Sequence, residues 1–395
     1  MSSPATKPLV AIACGGTGGH LFPGLAVAEQ LRQRGCDIVL LISPKDIDQQ
    51  AVKSVQGMEV FTLPAVGLQN RNYFSFARSF VKSYLTARKI FKPRPPVAVL
   101  AMGGFTSAPP VFAARKTGAK TFLHESNTIP GKANRFLSRF VEVAFIGFAE
   151  TAARLKARQS EVTGTPVRPQ FQRSESGRAA RAEKCRAALG LDPVRPAILV
   201  VGGSQGAHGL NEMILSVLPL FKQSDWQWLH LSGANDFEKV KAAYFAHGIK
   251  AVVKPFLAEM DLALGAATAC VSRAGASSLA EIAAMRLPAL LVPLPTAADN
   301  HQYFNAAAFE KSGAARLLEQ KHSTPEKIAA ALVELVENPA VRAQMESALD
   351  QWHAPKSAAE IAGIILSVVG QEVPGMAGAA GKPAAGGGTK LKVVA

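Results

Sequence analysis

Two glycine clusters, each placed directly after a run of apolar residues, stand almost half the chain apart. The first, Gly15-Gly16-Thr17-Gly18-Gly19-His20, follows Leu9–Ala13, and the second, Gly202-Gly203-Ser204-Gln205-Gly206, follows Ala197–Val201. Glycines at a strand-to-helix turn let backbone N–H groups approach a phosphate closely, and the helix N-terminus adds a partial positive charge. The repetition predicts two nucleotide-type domains that face one cleft.

The rest of the chain alternates short apolar runs with helical stretches. Strands are predicted at 9–13, 38–42, 59–63, 97–101, 121–124 and 143–146, and again at 197–201, 228–231, 251–253, 269–272, 289–293 and 315–318. The alternation is typical of α/β domains with doubly wound parallel sheets, and 395 residues favour two such domains. We expect one domain at 1–170, a second at 171–370 and a disordered Gly/Ala/Pro-rich tail at 371–395. The sequence leaves open whether the last helix of the second domain packs back on the first.

The charge of the chain is strongly positive and unevenly distributed. A net charge of +15 indicates an anionic partner, and residues 60–124 hold ten Lys or Arg but no Asp or Glu. Within this region, the basic and aromatic stretch at 72–91 is typical of a helix that lies on a membrane surface. The alternative is a half-buried helix whose basic face is only solvated. No RNA-binding motif accompanies the charge, so we expect no nucleic-acid partner. The proposed membrane face consists of Phe74, Arg78, Phe80, Lys82, Tyr84, Arg88 and Lys89.

The sequence lacks the motifs of several common enzyme classes. The first glycine cluster fails the G-x-G-x-x-G dinucleotide pattern at Leu21, and no Gly-Lys-Ser/Thr follows it. No H-E-x-x-H, zinc spacing or G-x-S-x-G elbow occurs. Asp46-Ile47-Asp48 matches a D-x-D metal pattern but is expected to be a solvated helix start, so no metal site is predicted. The four cysteines form no C-x-x-C pair and are expected to be reduced, buried thiols of a cytosolic protein.

Several polar clusters at predicted strand ends are candidates for function. His20 stands at a helix N-terminus, which favours neutral imidazole and therefore a proton acceptor. The turn at 103–107 offers further amides for a phosphate, and His124-Glu125-Ser126-Asn127 follows another strand. Residues 272–281 cross from strand to helix with small side chains that leave amides for a diphosphate, and Glu281 could accept both ribose hydroxyls. Each cluster has a structural alternative, such as a capping histidine, a plain tight turn or a carboxylate that stabilises a helix dipole.

Together these clusters resemble the bacterial MurG family. The resemblance rests on 15–20 with Phe22-Pro23-Gly24, and on 103–107, 124–127, 164–168, 202–206, 272–281 and 299–302. The sequence departs from the family at Ser126, where Gln is common, and at Thr165, where Asn is common. The resemblance implies the GT-B fold, in which two Rossmann-like domains face an interdomain cleft. It also implies inverting, metal-independent transfer of N-acetylglucosamine, without a cofactor, to the muramyl C4 hydroxyl of lipid I at the cytoplasmic face of the inner membrane.

The resemblance also assigns roles to residues. His20 is the expected general base, with Glu125 as runner-up. The acceptor diphosphate is expected at Gly15, Gly16, Gly103, Gly104 and Ser107 of the first domain, and the anionic membrane surface beside it. The donor, UDP-N-acetylglucosamine, is expected mostly on the second domain, at Thr17, Gly18, Gly19, Asn127, Arg168, Ser204, Gln205, Leu257, Ala276, Ser277, Ser278, Leu279, Glu281, His301 and Gln302.

Two other classes of function stay open at this stage. One is a different sugar-nucleotide enzyme on the same fold, such as a UDP-N-acetylglucosamine 2-epimerase or a diacylglycerol glycosyltransferase. The other is a non-catalytic, membrane-bound sensor of sugar nucleotides. The presence of His20, Glu125 and Glu281 in one chain argues against the sensor.

Overall fold

The computed structural model describes residues 7–16, 18–45, 48, 49, 52, 55–65, 73–171, 178–203 and 206–370 of the chain. The first domain contains a parallel sheet of seven strands in the order β3-β2-β1-β4-β5-β6-β7. The strands are β1 Leu9–Ala13, β2 Asp37–Ile42, β3 Glu59–Thr62, β4 Ala98–Ala101, β5 Lys120–Glu125, β6 Val143–Ile146 and β7 Gln159–Val162. The helices described in this domain are α1 Gly18–Gln33, α2 Tyr73–Phe91, α3 Ala108–Arg115 and α4 Lys132–Leu137.

The second domain contains a parallel sheet of six strands in the order β10-β9-β8-β11-β12-β13. The strands are β8 Ala197–Val201, β9 Gln227–Leu231, β10 Ala251–Lys254, β11 Ala269–Ser272, β12 Ala289–Leu291 and β13 Arg316–Leu317. The helices described from the interdomain connection onward are α5 Arg178–Ala188, α6 His208–Val217, α7 Phe237–Ala246, α8 Met260–Ala266, α9 Ala276–Met285, α10 His301–Lys311, α11 Pro325–Glu337, α12 Pro339–Asp350 and α13 Ser357–Val368.

The apolar runs form these sheets because both faces of each sheet are covered by helices. In β1, Val10 and Ile12 belong to one buried cluster, while Leu9, Ala11 and Ala13 belong to the cluster on the opposite face. This division follows from the two-residue period of a strand, and it explains why parallel strands read as continuous apolar runs. The prediction of two doubly wound α/β sheets is confirmed, and each predicted strand agrees with the observed bounds to within two residues.

One strand was not predicted. Among the described strands, β7 lies at the edge of the first sheet and pairs with β6 alone. Its sequence, Gln-Ser-Glu-Val, is mostly polar, and none of its four residues is fully buried. An edge strand of this kind is held by backbone hydrogen bonds rather than by apolar packing, so its side chains give no periodic signal.

The last helix of the chain contacts the first domain. The side chains of Ile361, Ala362, Ile365 and Leu366 in α13 are buried in the same apolar cluster as Val10 of β1. The chain therefore crosses between the two sheets once near residue 165 and again before α13. The domain boundaries at 170 and 370 stay predictions, and the tail at 371–395 lies outside the described residues.

The strand order places two loops side by side at the carboxyl edge of each sheet. In each sheet the order reverses beside the first strand, between β1 and β4 and between β8 and β11. Ligands of open α/β sheets bind at the carboxyl ends of strands at such a reversal. The clusters at 15–20, 103–107, 202–206 and 272–281 all follow these four strands.

Candidate active site

A large cleft lies between the two domains. Its volume is about 2420 Å³, and its walls include Gly19, His20 and Glu125 from the first domain and Ser277 and Glu281 from the second. A pocket for one small ligand typically occupies about 300–1,000 Å³. The cleft is therefore large enough for two substrates side by side.

The first glycine cluster is held in place by a buried carboxylate. Asp48 is fully buried, and its Oδ2 accepts hydrogen bonds from the Gly16 amide at 2.6 Å, the Ser43 amide at 3.2 Å and the Ser43 hydroxyl at 2.5 Å. The expectation that Asp48 belongs to a solvated helix start is wrong, while Asp46 and Ile47 lie outside the described residues. Because its amide already donates to Asp48, Gly16 is not a donor for a substrate phosphate in this arrangement.

A lysine that the sequence analysis did not single out lies at the same loop. The Lys45 ammonium donates to the Gly16 carbonyl at 2.7 Å and lies 5.5 Å from the centre of the Phe105 ring. Lys45 is exposed and forms part of the cleft wall between the turns at 15–20 and 103–107. It thus places a positive charge where the acceptor diphosphate was expected. The signal available in the sequence was its position just after β2, at the carboxyl edge of the sheet.

The turn at 103–107 is shaped around His20. Gly103 has a φ of 110°, and a Cβ at this position would lie 2.9 Å from His20 Nε2. Glycine is required here by both the backbone conformation and the contact. The Ser107 hydroxyl is fully buried, accepts from the Gly103 amide at 3.1 Å and donates to the Gly103 carbonyl at 2.6 Å. Ser107 therefore holds the turn rather than facing the cleft, whereas Gly104 forms part of the cleft wall.

Electrostatics favour the neutral form of His20. Burial lowers the pKa of the imidazole, and the charge of Lys45 acts in the same direction. The carboxylates of Glu125 and Asp48 act in the opposite direction. A neutral ring can accept a proton, and the same carboxylates would stabilise the imidazolium that results.

Glu125 is saturated with hydrogen bonds. Its Oε1 accepts from the backbone and side-chain nitrogens of Asn127, both at 2.9 Å. Its Oε2 accepts from the Gly131 amide at 2.9 Å and from Asn134 Nδ2 at 3.0 Å. Four donors on a buried carboxylate occupy its lone pairs, so the geometry supports an orienting role for Glu125 rather than that of a base. The neighbouring His124 is fully buried, and its Nε2 lies 3.0 Å from the Gly164 carbonyl of the interdomain connection.

The second domain contributes the start of helix α9. The helix begins at Ala276 after Gly275, and Ala276, Ser277 and Ser278 form part of the cleft wall. The Ser277 hydroxyl donates to the Gly19 carbonyl at 2.9 Å, so this helix N-terminus directly contacts the first glycine cluster. Leu279, by contrast, is a buried core residue and does not form part of the cleft wall.

Glu281 and Arg168 face each other across the floor of the cleft. Their closest oxygen and nitrogen are 3.8 Å apart. Burial raises the pKa of Glu281 to about 7, although the charge of Arg168 acts against this shift. The Arg168 guanidinium lies 4.3 Å from the centre of the Phe22 ring and 5.1 Å from that of Phe171. The two rings hold the guanidinium beside the carboxylate.

The remaining candidates for the donor site are placed as follows. Gln302 Oε1 accepts from the Leu294 amide at 2.9 Å and from the Ala274 amide at 3.2 Å, which leaves its NH₂ group as the part available to a sugar. His301 and Leu257 form part of the cleft wall, and Phe256 beside Leu257 is exposed. Thr17, Ser204 and Gln205 lie outside the described residues.

The outer face of α2 is both apolar and basic. Phe74 is 81% exposed, Val81 54% and Leu85 54%. The predicted members Phe80 and Tyr84 are instead half-buried and form part of the cleft wall, where Phe80 contacts Phe112 with ring centres 6.4 Å apart. Val81 and Leu85 therefore replace Phe80 and Tyr84 on the exposed face. The basic side chains of this face, all exposed, are Arg78, Lys82, Arg88 and Lys89.

The described part of the chain offers neither a metal-binding cluster nor a membrane-spanning helix. No group of three or more His, Cys, Asp or Glu side chains there is arranged to bind a metal ion. No helix there combines the length and apolarity needed to cross a bilayer.

Comparison with known proteins agrees with this geometry. Residues 10–146 match the glycosyltransferase family 28 N-terminal domain, and residues 197–361 match its C-terminal domain. The UDP-N-acetylglucosamine–N-acetylmuramyl-(pentapeptide) pyrophosphoryl-undecaprenol N-acetylglucosamine transferase of Anaeromyxobacter sp. strain Fw109-5 is 34% identical over 379 residues, which cover 92% of this chain and 96% of the relative. The chain belongs to the MurG family. The enzyme of the same name from Synechocystis sp. is 35% identical over 368 residues, covering 92% of this chain and 99% of the relative.

Solved structures place the MurG-family chain within the GT-B fold. Acinetobacter baumannii MurG matches with a TM-score of 0.70 and 27% identity, covering 92% of this chain and all of that one. A UDP-N-acetylglucosamine 2-epimerase matches with a TM-score of 0.68 at 13% identity, covering 92% of this chain and 96% of that one, a likeness of fold alone. The predicted family and fold are confirmed, and the chain is a glycosyltransferase.

Proposed function

We propose that this chain transfers N-acetylglucosamine from UDP-N-acetylglucosamine to the C4 hydroxyl of the muramyl sugar of lipid I, with inversion at the anomeric carbon. The names of the MurG relatives support the two substrates. The observation that carries the proposal is the meeting of two helix N-termini in one cleft. The Ser277 hydroxyl of the second domain lies 2.9 Å from the Gly19 carbonyl of the first.

The donor is proposed to bind mainly to the second domain. The diphosphate would accept hydrogen bonds from the first amides of α9, where the helix dipole is positive. Glu281, one turn further along, would accept both ribose hydroxyls in its ionised form. The Arg168 guanidinium lies 3.8 Å from this carboxylate and therefore beside the proposed nucleotide site. From there it would stabilise the negative charge of departing UDP.

The acceptor diphosphate is proposed to bind the first domain. Asp48 already occupies the Gly16 amide at 2.6 Å. The revised set of donors is therefore the first-turn amides of α1 at Gly18 and Gly19, the turn at Gly104, and the Lys45 ammonium. A cation is favourable here because the Asp48 carboxylate is a like charge for a phosphate bound at this loop.

The reaction is proposed to be a direct displacement. The acceptor oxygen forms a bond to the anomeric carbon while the bond from that carbon to the diphosphate oxygen breaks, and UDP leaves with the electron pair. His20 takes the hydroxyl proton, a contribution typically of about 10²–10⁴-fold. Glu125 acts as a positioning residue, because its four hydrogen bonds hold the loop beside His20.

The outer face of α2 is proposed to contact an anionic membrane, which for this activity is the cytoplasmic face of the inner membrane. Exposed apolar side chains at Phe74, Val81 and Leu85 would enter the interface region, while the four basic side chains would meet lipid phosphates. Tyr84 and Phe80, on the cleft side of the same helix, would then lie between the membrane and the acceptor site.

The direct test is transfer of labelled N-acetylglucosamine from UDP-N-acetylglucosamine to a lipid I analogue by the purified protein. The product expected is the β-linked disaccharide, with one UDP released per sugar transferred. Conversion of the donor without any acceptor would instead support an epimerase. Binding of the donor without turnover in the presence of any acceptor tested would support a non-catalytic sensor of sugar nucleotides. Either result would overturn the proposal.

A further inference from the structure

One asparagine of the second domain is bonded to both domains at once. Asn305 lies in α10 and is fully buried. Its Oδ1 accepts from the Thr128 amide at 2.9 Å and from the Thr128 hydroxyl at 3.0 Å. Its Nδ2 donates to Asn127 Oδ1 at 3.0 Å and to the Ala274 carbonyl at 3.2 Å. Two acceptor sites and two donor hydrogens are the full capacity of a side-chain amide, and all four are used.

The partners of Asn305 belong to the two halves of the proposed site. Asn127 forms part of the cleft wall and donates to Glu125 Oε1, which lies beside His20. Ala274 precedes Gly275 and the α9 N-terminus, where the donor diphosphate is proposed to bind. One continuous chain of hydrogen bonds therefore runs from the loop that orients the base to the loop that holds the leaving group.

We propose that Asn305 is a positioning residue that fixes the first-domain loop at 125–128 against the second-domain loop at 273–275. The proposal rests on the proposed function, because it concerns the alignment of that same reaction. A small misplacement of reacting groups lowers a rate strongly even when binding is retained. Asn305 itself is separated from the cleft by Asn127 and Ala274, so its effect is exerted through them.

Other contacts between the domains are weaker candidates for this role. The Arg135–Asp299 ion pair has side chains 42% and 40% exposed, and exposed pairs contribute little. Ser277 and Gly19 are joined by one hydrogen bond. The buried amide of Asn305 satisfies two donors and one acceptor of the first domain and one acceptor of the second, and buried groups of this kind are costly to leave unpaired.

The kinetic test compares Asn305→Ala and Thr128→Val with a matched control, Asn338→Ala. Asn338 caps α12, accepting from the Ala340 amide at 3.1 Å, and is exposed in the second domain. Asn305→Ala should lower kcat about 10- to 100-fold while the KM for UDP-N-acetylglucosamine changes less than about threefold, since the donor is held by the second domain. Thr128→Val, which keeps the backbone donor, should show a smaller loss of kcat. Asn338→Ala should lower the Tm without lowering kcat.

A distance measurement separates this proposal from the proposed function. Spin labels at Lys92→Cys and Glu238→Cys, one exposed site in each domain, report the separation of the domains. The four native cysteines are buried, so the labels attach to the introduced ones. Asn305→Ala should broaden the distance distribution, whereas Asn338→Ala should not. An unchanged distribution together with unchanged kcat would overturn the proposal. If the parent protein transfers no sugar, the proposed function fails, while the distance result still decides the role of Asn305.

Discussion

Binding of the donor should depend on pH through Glu281. Burial raises the pKa of this carboxyl to about 7, yet only the ionised form can accept from two ribose hydroxyls through both of its oxygens. With this pKa, about a tenth of the molecules carry the carboxylate at pH 6 and about nine-tenths at pH 8. The affinity for UDP-N-acetylglucosamine should therefore rise about tenfold from pH 6 to pH 8. The diphosphate of a nucleotide sugar is esterified at both ends and does not titrate in this range, so the dependence belongs to the protein.

The same shift predicts an opposite effect on stability. The unfolded chain releases the Glu281 proton near pH 4.5, whereas the folded chain keeps it until about pH 7. Between these values the folded state binds more protons than the unfolded state, so the free energy of unfolding decreases as the pH rises. The loss is complete above about pH 7 and amounts to about 3 kcal/mol at most.

Isothermal titration of UDP-N-acetylglucosamine into the parent protein and into Glu281→Gln tests both effects. The variant should bind more weakly at pH 8 and should show no rise in affinity between pH 6 and pH 8. Its free energy of unfolding in denaturant should exceed that of the parent at pH 8, and the difference should vanish near pH 4. A variant with the parent's pH dependence of affinity, or no more stable than the parent at pH 8, would refute the reasoning.

Three further predictions follow from the geometry. His20→Asn should lower kcat by about 10²–10⁴-fold with the Tm nearly unchanged, and a variant with the parent's kcat would remove His20 as the base. Because burial lowers the pKa of His20, the kcat of the parent should decrease only when the pH falls below the ordinary histidine range. Asp48→Ala should lower the KM for the acceptor about tenfold, because it frees the Gly16 amide and removes a like charge, which acceptor titration would measure; an unchanged or higher KM would contradict this. A variant in which Arg78, Lys82, Arg88 and Lys89 on the outer face of α2 are all replaced by Gln should bind anionic vesicles more weakly in flotation assays, most clearly at low salt. Equal loss in a control that exchanges the same number of exposed lysines in the second domain would show a general charge effect. The control lysines are Lys184, Lys222, Lys241 and Lys250.

The fold was predictable because its signals are local and strong. Strands buried on both faces read as apolar runs, and glycine clusters end the strands at which the sheet order reverses. The strand β7 escaped because an edge strand needs no apolar residues. Loops such as 124–127 could be placed at the cleft by the rule that sites form at the carboxyl ends of parallel strands.

The site was less predictable, because the use of a polar group depends on its partners. The sequence predicts Glu125 as the second candidate for the base, whereas its four hydrogen bonds favour an orienting role. No sequence pattern reports that Asn127, Gly131 and Asn134 all donate to it. The same is true of Asn305, since its first-domain partners, Asn127 and Thr128, are more than 170 residues away along the chain. Helix α2 shows the converse case, in which composition was informative but could not tell the exposed Val81 from the half-buried Phe80.

Asp48 shows why a phosphate-type loop cannot be interpreted from its glycines alone. A carboxylate under the loop fixes the Gly16 backbone, but it also takes the amide that a phosphate would use and adds a charge that repels phosphate. The loop can bind an anion only if other groups restore a positive potential. Lys45, held by the Gly16 carbonyl, and the N-terminus of α1 supply that potential on the cleft side. In the proposed function, rigidity and anion binding are thus divided between different residues, and exchanging Asp48 or Lys45 should alter the two properties of the loop separately.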